Sequence, residues 1–146
     1  MVPIAAPEDD ATIQGETKLF RRVHISHIVP DEDTGIARVS TAAFKSKGLD
    51  LSIFIETTLV ADGLEPLHCI RNHPQHQLVA ITAAEARSVS QIVYRDPEVD
   101  YRSHGIVWGQ KPRAVLLAFV GFAEWIIPSS APTNDELREL NSKIHR

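Results

Sequence analysis

Residues 91–127, QIVYRDPEVDYRSHGIVWGQKPRAVLLAFVGFAEWII, decide how the chain is read. Gln91 to Arg95 has the β-branched and aromatic content of a strand, Asp96 to Ser103 is a polar loop, and His104 to Trp108 predicts a second strand. Pro112 then stands where the first turn of a helix tolerates a residue without an N–H. From Ala114 to Ile127 the only charge is Glu124. A segment that is apolar all round reads as a buried helix, here over about 112–127 and ending near Pro128.

Upstream, Lys18 to Val29 alternates. Leu19, Arg21, Val23, Ile25, His27 and Val29 share one face and Arg22, His24 and Ser26 the other, as in a strand. Residues 30–35 (PDEDTG) are a turn, and Ile36 to Phe44 is read as the returning arm of a hairpin. Leu51 to Leu59 and Gln77 to Ile81 predict further strands. Thr82 to Glu85 spells a capping box, in which the threonine hydroxyl and glutamate carboxylate satisfy each other's backbone N–H groups; a helix over 83–90 follows. After the linker PSSAPT (128–133), a second capping box, Thr133 to Glu136, opens a helix with Leu137, Leu140 and Ile144 at i, i+3 and i+7.

Strands and helices are interspersed without a βαβ rhythm. The expected class is therefore α+β, with a mostly antiparallel sheet packed against the apolar helix. Residues 1–16 are acidic, contain Pro3 and Pro7 and show no period, which predicts a disordered tail. The expected organisation is that tail, a globular domain over 17–127, and a linker with a short amphipathic helix over 128–146.

Composition narrows the function classes. A chain of 146 residues suits one domain, and a formal charge of −4 offers no basic stripe for nucleic acid. Cys69 is the only cysteine, so no internal disulfide forms and a reducing compartment, the cytoplasm, is expected. The N-terminus MVPIAAPEDD has neither the basic nor the apolar region of a signal peptide. The apolar run 114–127 falls short of the roughly 20 residues that span a bilayer, so no membrane role is expected.

Three constellations carry chemistry. His68, Cys69, His73 and His76 lie within nine residues and offer imidazole and thiolate ligands suited to Zn²⁺. Their spacing matches no standard metal pattern and Pro74 interrupts any helix between them; the plainer reading is a polar loop beside a buried cysteine, with no resident cofactor. The second constellation is Asp96 and His104, at the two ends of one connection. A carboxylate beside an imidazole sets its tautomer and prepares an acid/base catalyst; the alternative is a hydrogen-bonded histidine at the edge of the core. The third is the polar strand face of Arg22, His24 and Ser26, joined by Arg38 from the next arm, whose donors suit a phosphate or carboxylate. Its alternative is an ordinary solvent face. No P-loop, G-x-G-x-x-G, G-x-S-x-G, H-E-x-x-H or C-x-x-C is present.

On Arg21-Arg22-Val23, Ser40-Thr41-Ala42-Ala43-Phe44, Leu51-Ser52-Ile53, Asp96-Pro97 and His104-Gly105-Ile106-Val107-Trp108-Gly109, residues 19–125 resemble a family of small uncharacterised bacterial domains. That resemblance implies a free-standing bacterial domain and carries no activity. An arginine on a first strand followed by Ser40-Thr41 is also similar to ADP-ribosyltransferase-like folds, but no [EQ]-x-E pair follows on a late strand.

Two functional expectations result. The first is a non-enzymatic cytoplasmic accessory protein that binds a protein partner through its sheet face and C-terminal helix. The second is a small hydrolase or nucleotide-handling enzyme, with His104 and Asp96 as the acid/base pair and Arg22 and His24 holding an anion. The second requires these side chains to converge on one pocket.

Overall fold

The computed structural model describes residues 6–144. The described residues form eight strands: β1 (Lys18–His24), β2 (Ile28–Val29), β3 (Arg38–Val39), β4 (Asp50–Ile55), β5 (His76–Thr82), β6 (Ile92–Arg95), β7 (His104–Trp108) and β8 (Glu124–Ile127). The α-helices are α1 (Glu56–Ala61), α2 (Ala83–Ser88), α3 (Arg113–Phe122) and α4 (Asn134–Ile144). Six strands form one antiparallel sheet in the order β6-β7-β4-β1-β5-β8, and β2 and β3 form a separate pair. The fold is α+β.

Strand alternation divides the sheet into two buried faces. Leu19 and Val23 of β1, Leu51, Ile53 and Ile55 of β4, Val79 and Ile81 of β5, and Val107 of β7 pack with Phe44, Leu116, Phe119 and Leu137 in the larger core. The opposite face carries Phe20, Phe54, Leu78 and Ala80 against Leu59, Cys69 and Ile70 of the segment after β4. Both faces are covered, so β4 and β5 read as nearly continuous apolar runs.

The strand pairing is uneven. β1 and β5 pair at seven positions, from Lys18↔Thr82 to His24↔His76, whereas β1 and β4 pair only at Leu19↔Ile55 and Phe20↔Phe54. Beyond Phe20 the two strands part, and Arg21 spans the gap. Its Nε donates to the Ala43 carbonyl and its Nη1 to the Ser52 carbonyl, each at 3.0 Å. Burial and the neighbouring Arg22 bring Arg21 down to about 10, and the two carbonyls replace the solvation it has lost.

Several expected boundaries move. The run 112–127 is not one helix: α3 ends at Phe122, Ala123 turns the chain out (ψ 126°), and Glu124–Ile127 joins β5 as an outer strand. Trp125, Ile126 and Ile127 are strand formers, and Pro128 biases Ile127 toward extended backbone. Nor is α3 buried all round, since Leu116 and Phe119 face the core while Leu117 is 48% exposed. The strand expected over 51–59 stops at Ile55, and α1 turns Leu59 into the second core. The strand expected over 18–29 breaks at a 3₁₀ turn, Ile25–His27. Only Arg38–Val39 returns as a hairpin arm, pairing with Ile28–Val29, and Thr41–Phe44 is a second 3₁₀ turn that buries Phe44.

The start of the chain also differs from expectation. Residues 1–5 of the expected tail lie outside the described residues, but the rest of it is fastened to the domain. The Asp10 N–H donates to the Val93 carbonyl at 2.8 Å, Asp9 Oδ1 accepts from the Val93 N–H at 2.9 Å, and Ile13 is 1% exposed. Two of its acids are paired, Asp9 with Arg87 and Asp10 with Arg95. At the other end, α4 docks on its own domain. Leu137 is 2% exposed in the larger core, Leu140 and Ile144 pack beside it, and Asn134 exchanges side-chain hydrogen bonds with the Asp31 backbone at 3.1 and 3.0 Å. Among the described residues no helix is long and apolar enough to cross a membrane.

Candidate functional site

Where β1 and β4 part, the sheet face opposite the larger core opens into a cleft of about 700 Å³. Arg22, Ser52, Phe54, His76, His104 and Tyr101 are among its lining residues. The pleat explains the grouping. Arg22 is two residues from Phe20 on β1, Ser52 two from Phe54 on β4, and His104 faces Phe54 across the β4–β7 register, so all five project from one face.

Arg22 sits at the centre. Its Nε donates to the Cys69 carbonyl at 2.6 Å, and its guanidinium lies 4.6 Å over the Phe54 ring and 4.9 Å over the Tyr101 ring. Cation–π contact holds the group flat without neutralising it. Among the described residues its terminal Nη groups make no ion pair, so both Nη nitrogens remain as donors for a ligand, in the fork geometry that matches carboxylate and phosphate.

His104 is 6% exposed. Its Nδ1 lies 2.8 Å from the Asp96 carbonyl oxygen and 3.2 Å from Asp96 Oδ2. A carbonyl only accepts, so Nδ1 carries the hydrogen and Nε2 of the neutral ring presents its lone pair. Nε2 is 3.8 Å from Glu98 Oε1. The β6–β7 hairpin builds this arrangement, because the Asp96 N–H also donates to the His104 carbonyl at 3.0 Å and closes the loop.

A group of imidazoles borders the cleft where β1 ends and β5 begins. His76 lies with ring centroids 5.1 Å from His24 and 5.4 Å from His73, and His24 is 6.2 Å from His27. Burial, then the neighbouring His24, His73, Arg22 and His27, brings His76 down to about 4. His73 is lowered by burial and by Arg22. His27 is lowered by burial, His24 and Arg21. His76 is therefore uncharged at neutral pH.

The structure brings together some of the residues read from the sequence and separates others. Asp96 and His104 meet, and Arg22 joins His104 in the same cleft. His24 stands one ring behind, bonded to Ser26 Oγ at 2.8 Å and to Gln75 Oε1 at 3.2 Å. Ser26 is exposed in the 3₁₀ turn, and Arg38 is exposed in the separate β2–β3 pair, so neither lines the cleft. His68, Cys69, His73 and His76 do not form one ligand set. The Cys69 side chain lies in the second core, where burial pushes its thiol up to about 12, and the His68 ring packs on Tyr101 at 5.2 Å. Among the described residues no group of three or more His, Cys, Asp or Glu side chains is placed to hold a metal ion.

Phe54 and Ser52 were not among the candidate site residues read from the sequence, and Tyr101 was seen only as part of the polar loop. Each belongs to the site because β4 lies between β1 and β7, a neighbourhood that no local pattern encodes. No protein-family model, curated protein or solved structure matches this chain, so its function is argued from the geometry of the cleft.

Proposed function

We propose that the protein is a small enzyme of the hydrolase or nucleotide-handling class, which binds a phosphate- or carboxylate-bearing substrate in the Arg22 cleft. The observation that carries the reading is the convergence of Arg22 and His104 on one face and one cavity. Arg22 anchors the anion through its free Nη donors. His104, oriented through Nδ1 by Asp96, uses the Nε2 lone pair as a general base. Among the described residues no hydroxyl or thiol is hydrogen-bonded to His104, so the nucleophile in this reading is water, with no covalent intermediate. A single buried cysteine and the resemblance to bacterial domains suit action in a bacterial cytoplasm.

The accessory-protein reading keeps the absence of a recognised catalytic motif as support but loses the detachable tail, because α4 packs on its own domain. The two are separated by combining binding with turnover. Phosphate monoesters, inorganic phosphate and small carboxylates are screened by thermal shift, and hydrolysis of the phosphate monoesters and of small carboxylic esters is assayed in parallel. The expected result is protection by an anion that Arg22→Gln abolishes, with turnover that His104→Gln removes while binding persists. Anion binding through Arg22 without any turnover would make the protein a binding module. Protection that survives Arg22→Gln would overturn the site itself.

A further inference from the structure

The charges in the cleft are segregated. Arg22 supplies the positive charge from β1, while Glu98 and Asp100 come from the 96–103 loop on the other wall. Among the described residues Asp100 has no ion-pair partner, and the cation nearest Glu98 is His104 at 3.8 Å, and then only when protonated. Arg102, on the same loop, turns away to Asp62 at 3.7 Å. Two carboxylates facing a bound simple anion would repel it. The cavity of about 700 Å³ is also far larger than one phosphate or carboxylate group and falls in the range of metabolite pockets.

We propose that the cleft takes a small zwitterion, with its anionic group on Arg22 and its ammonium group on Glu98 and Asp100. This rests on the reading of Arg22 as an anion site and narrows its substrate class. The ligand is an aminoalkyl phosphate or an amino acid, two sources of the same end-to-end charge pattern. Each wall then meets its complement, and complementary charge sets which way round the ligand lies.

The test is calorimetric titration of the full chain with two matched pairs: phosphoethanolamine against ethyl phosphate, and β-alanine against propionate. In at least one pair the amine should strengthen binding on the order of tenfold. The Glu98→Gln/Asp100→Asn double variant, its folding verified by circular dichroism, should erase that advantage while still binding the amine-free anion. Equal or tighter binding of the amine-free member in both pairs overturns the zwitterion and leaves the Arg22 anion site standing. An amine advantage that survives in the double variant overturns the assignment of Glu98 and Asp100. If none of the four probes binds, both readings fail.

Discussion

Arg21 Nη1 donates a 3.0 Å hydrogen bond to the main-chain oxygen of Ser52, across the gap left where two central strands of the sheet stop pairing. Adjacent arginines on one strand thus have opposite duties. Arg21 ties the sheet together at the edge of the cleft by committing its donors to main-chain carbonyls, and Arg22 keeps its terminal donors for ligand. Arg21→Met leaves the Ala43 and Ser52 carbonyls without their donor and should cost about 2–3 kcal/mol, or a fall in Tm of roughly 6–10 °C. Arg22→Gln should cost less stability and lose anion binding instead. Equal melting temperatures for Arg21→Met and the wild type would refute the bridging role.

Gly105 separates His104 from Ile106, and a Cβ there would lie 2.9 Å from the Tyr94 carbonyl oxygen and from Ile55 Cδ1. The backbone oxygen cannot yield without disturbing the β6–β7 pairing. Gly105→Ala is therefore expected to destabilise by about 1–3 kcal/mol through overpacking and to displace His104. Chemical denaturation measures the first effect, and the imidazole NMR resonances report the second.

The histidine corner predicts acid lability. His76 is held down to about 4 in the fold, while an unfolded chain takes up that proton near 6.5. The unfolded state therefore binds more protons between these values, and the stabilisation is complete above about 6.5 and lost as pH falls toward 4. At about 1.4 kcal/mol per unit the unscreened figure is about 3 kcal/mol. The ring is only half-buried, and solvent screening leaves about 1 kcal/mol. Urea midpoints measured from pH 7 to pH 4 should fall less steeply for His76→Gln than for the wild type; parallel curves would exclude His76 as the source.

Leu137 is the part of α4 that enters the core. Leu137→Ala should cost about 2–4 kcal/mol, the usual range for a buried leucine truncation. Removing residues 130–146 should lower Tm further, because it also takes away the Asn134–Asp31 hydrogen bonds. A truncated chain that melts with the full-length protein would restore α4 to the role of a detachable arm.

What the sequence made legible was local. Both capping boxes are in place: Glu85 N–H to Thr82 Oγ1 and Glu136 N–H to Thr133 Oγ1 are each 3.1 Å. The Asp96–His104 approach follows from one short hairpin. The errors came where short-range preference and tertiary need conflict. Thr57, Thr58 and Val60 are good strand formers, yet they lie in α1, which carries Leu59 into the core. The 114–127 run was uniformly apolar, so hydropathy did not distinguish helix from strand; Trp125-Ile126-Ile127 ahead of Pro128 was the signal to use. Asp9 and Asp10 looked like solvated tail because their partners, Arg87 and Arg95, are more than seventy positions away. Tyr101 and Phe54 reach Arg22 only through the order of the strands, which alternation does not reveal.

The hold of Asp9 and Asp10 on Val93 has a consequence for self-association. Val93 turns its N–H and carbonyl to the outer margin of β6, and both are already engaged. The outer margin beside β6 is thus engaged at that residue, which makes it a poorer template for strand addition. A fibre needs two open margins on every subunit. By occupying Val93, the acidic segment at the start of the chain hinders edge-to-edge growth at β6.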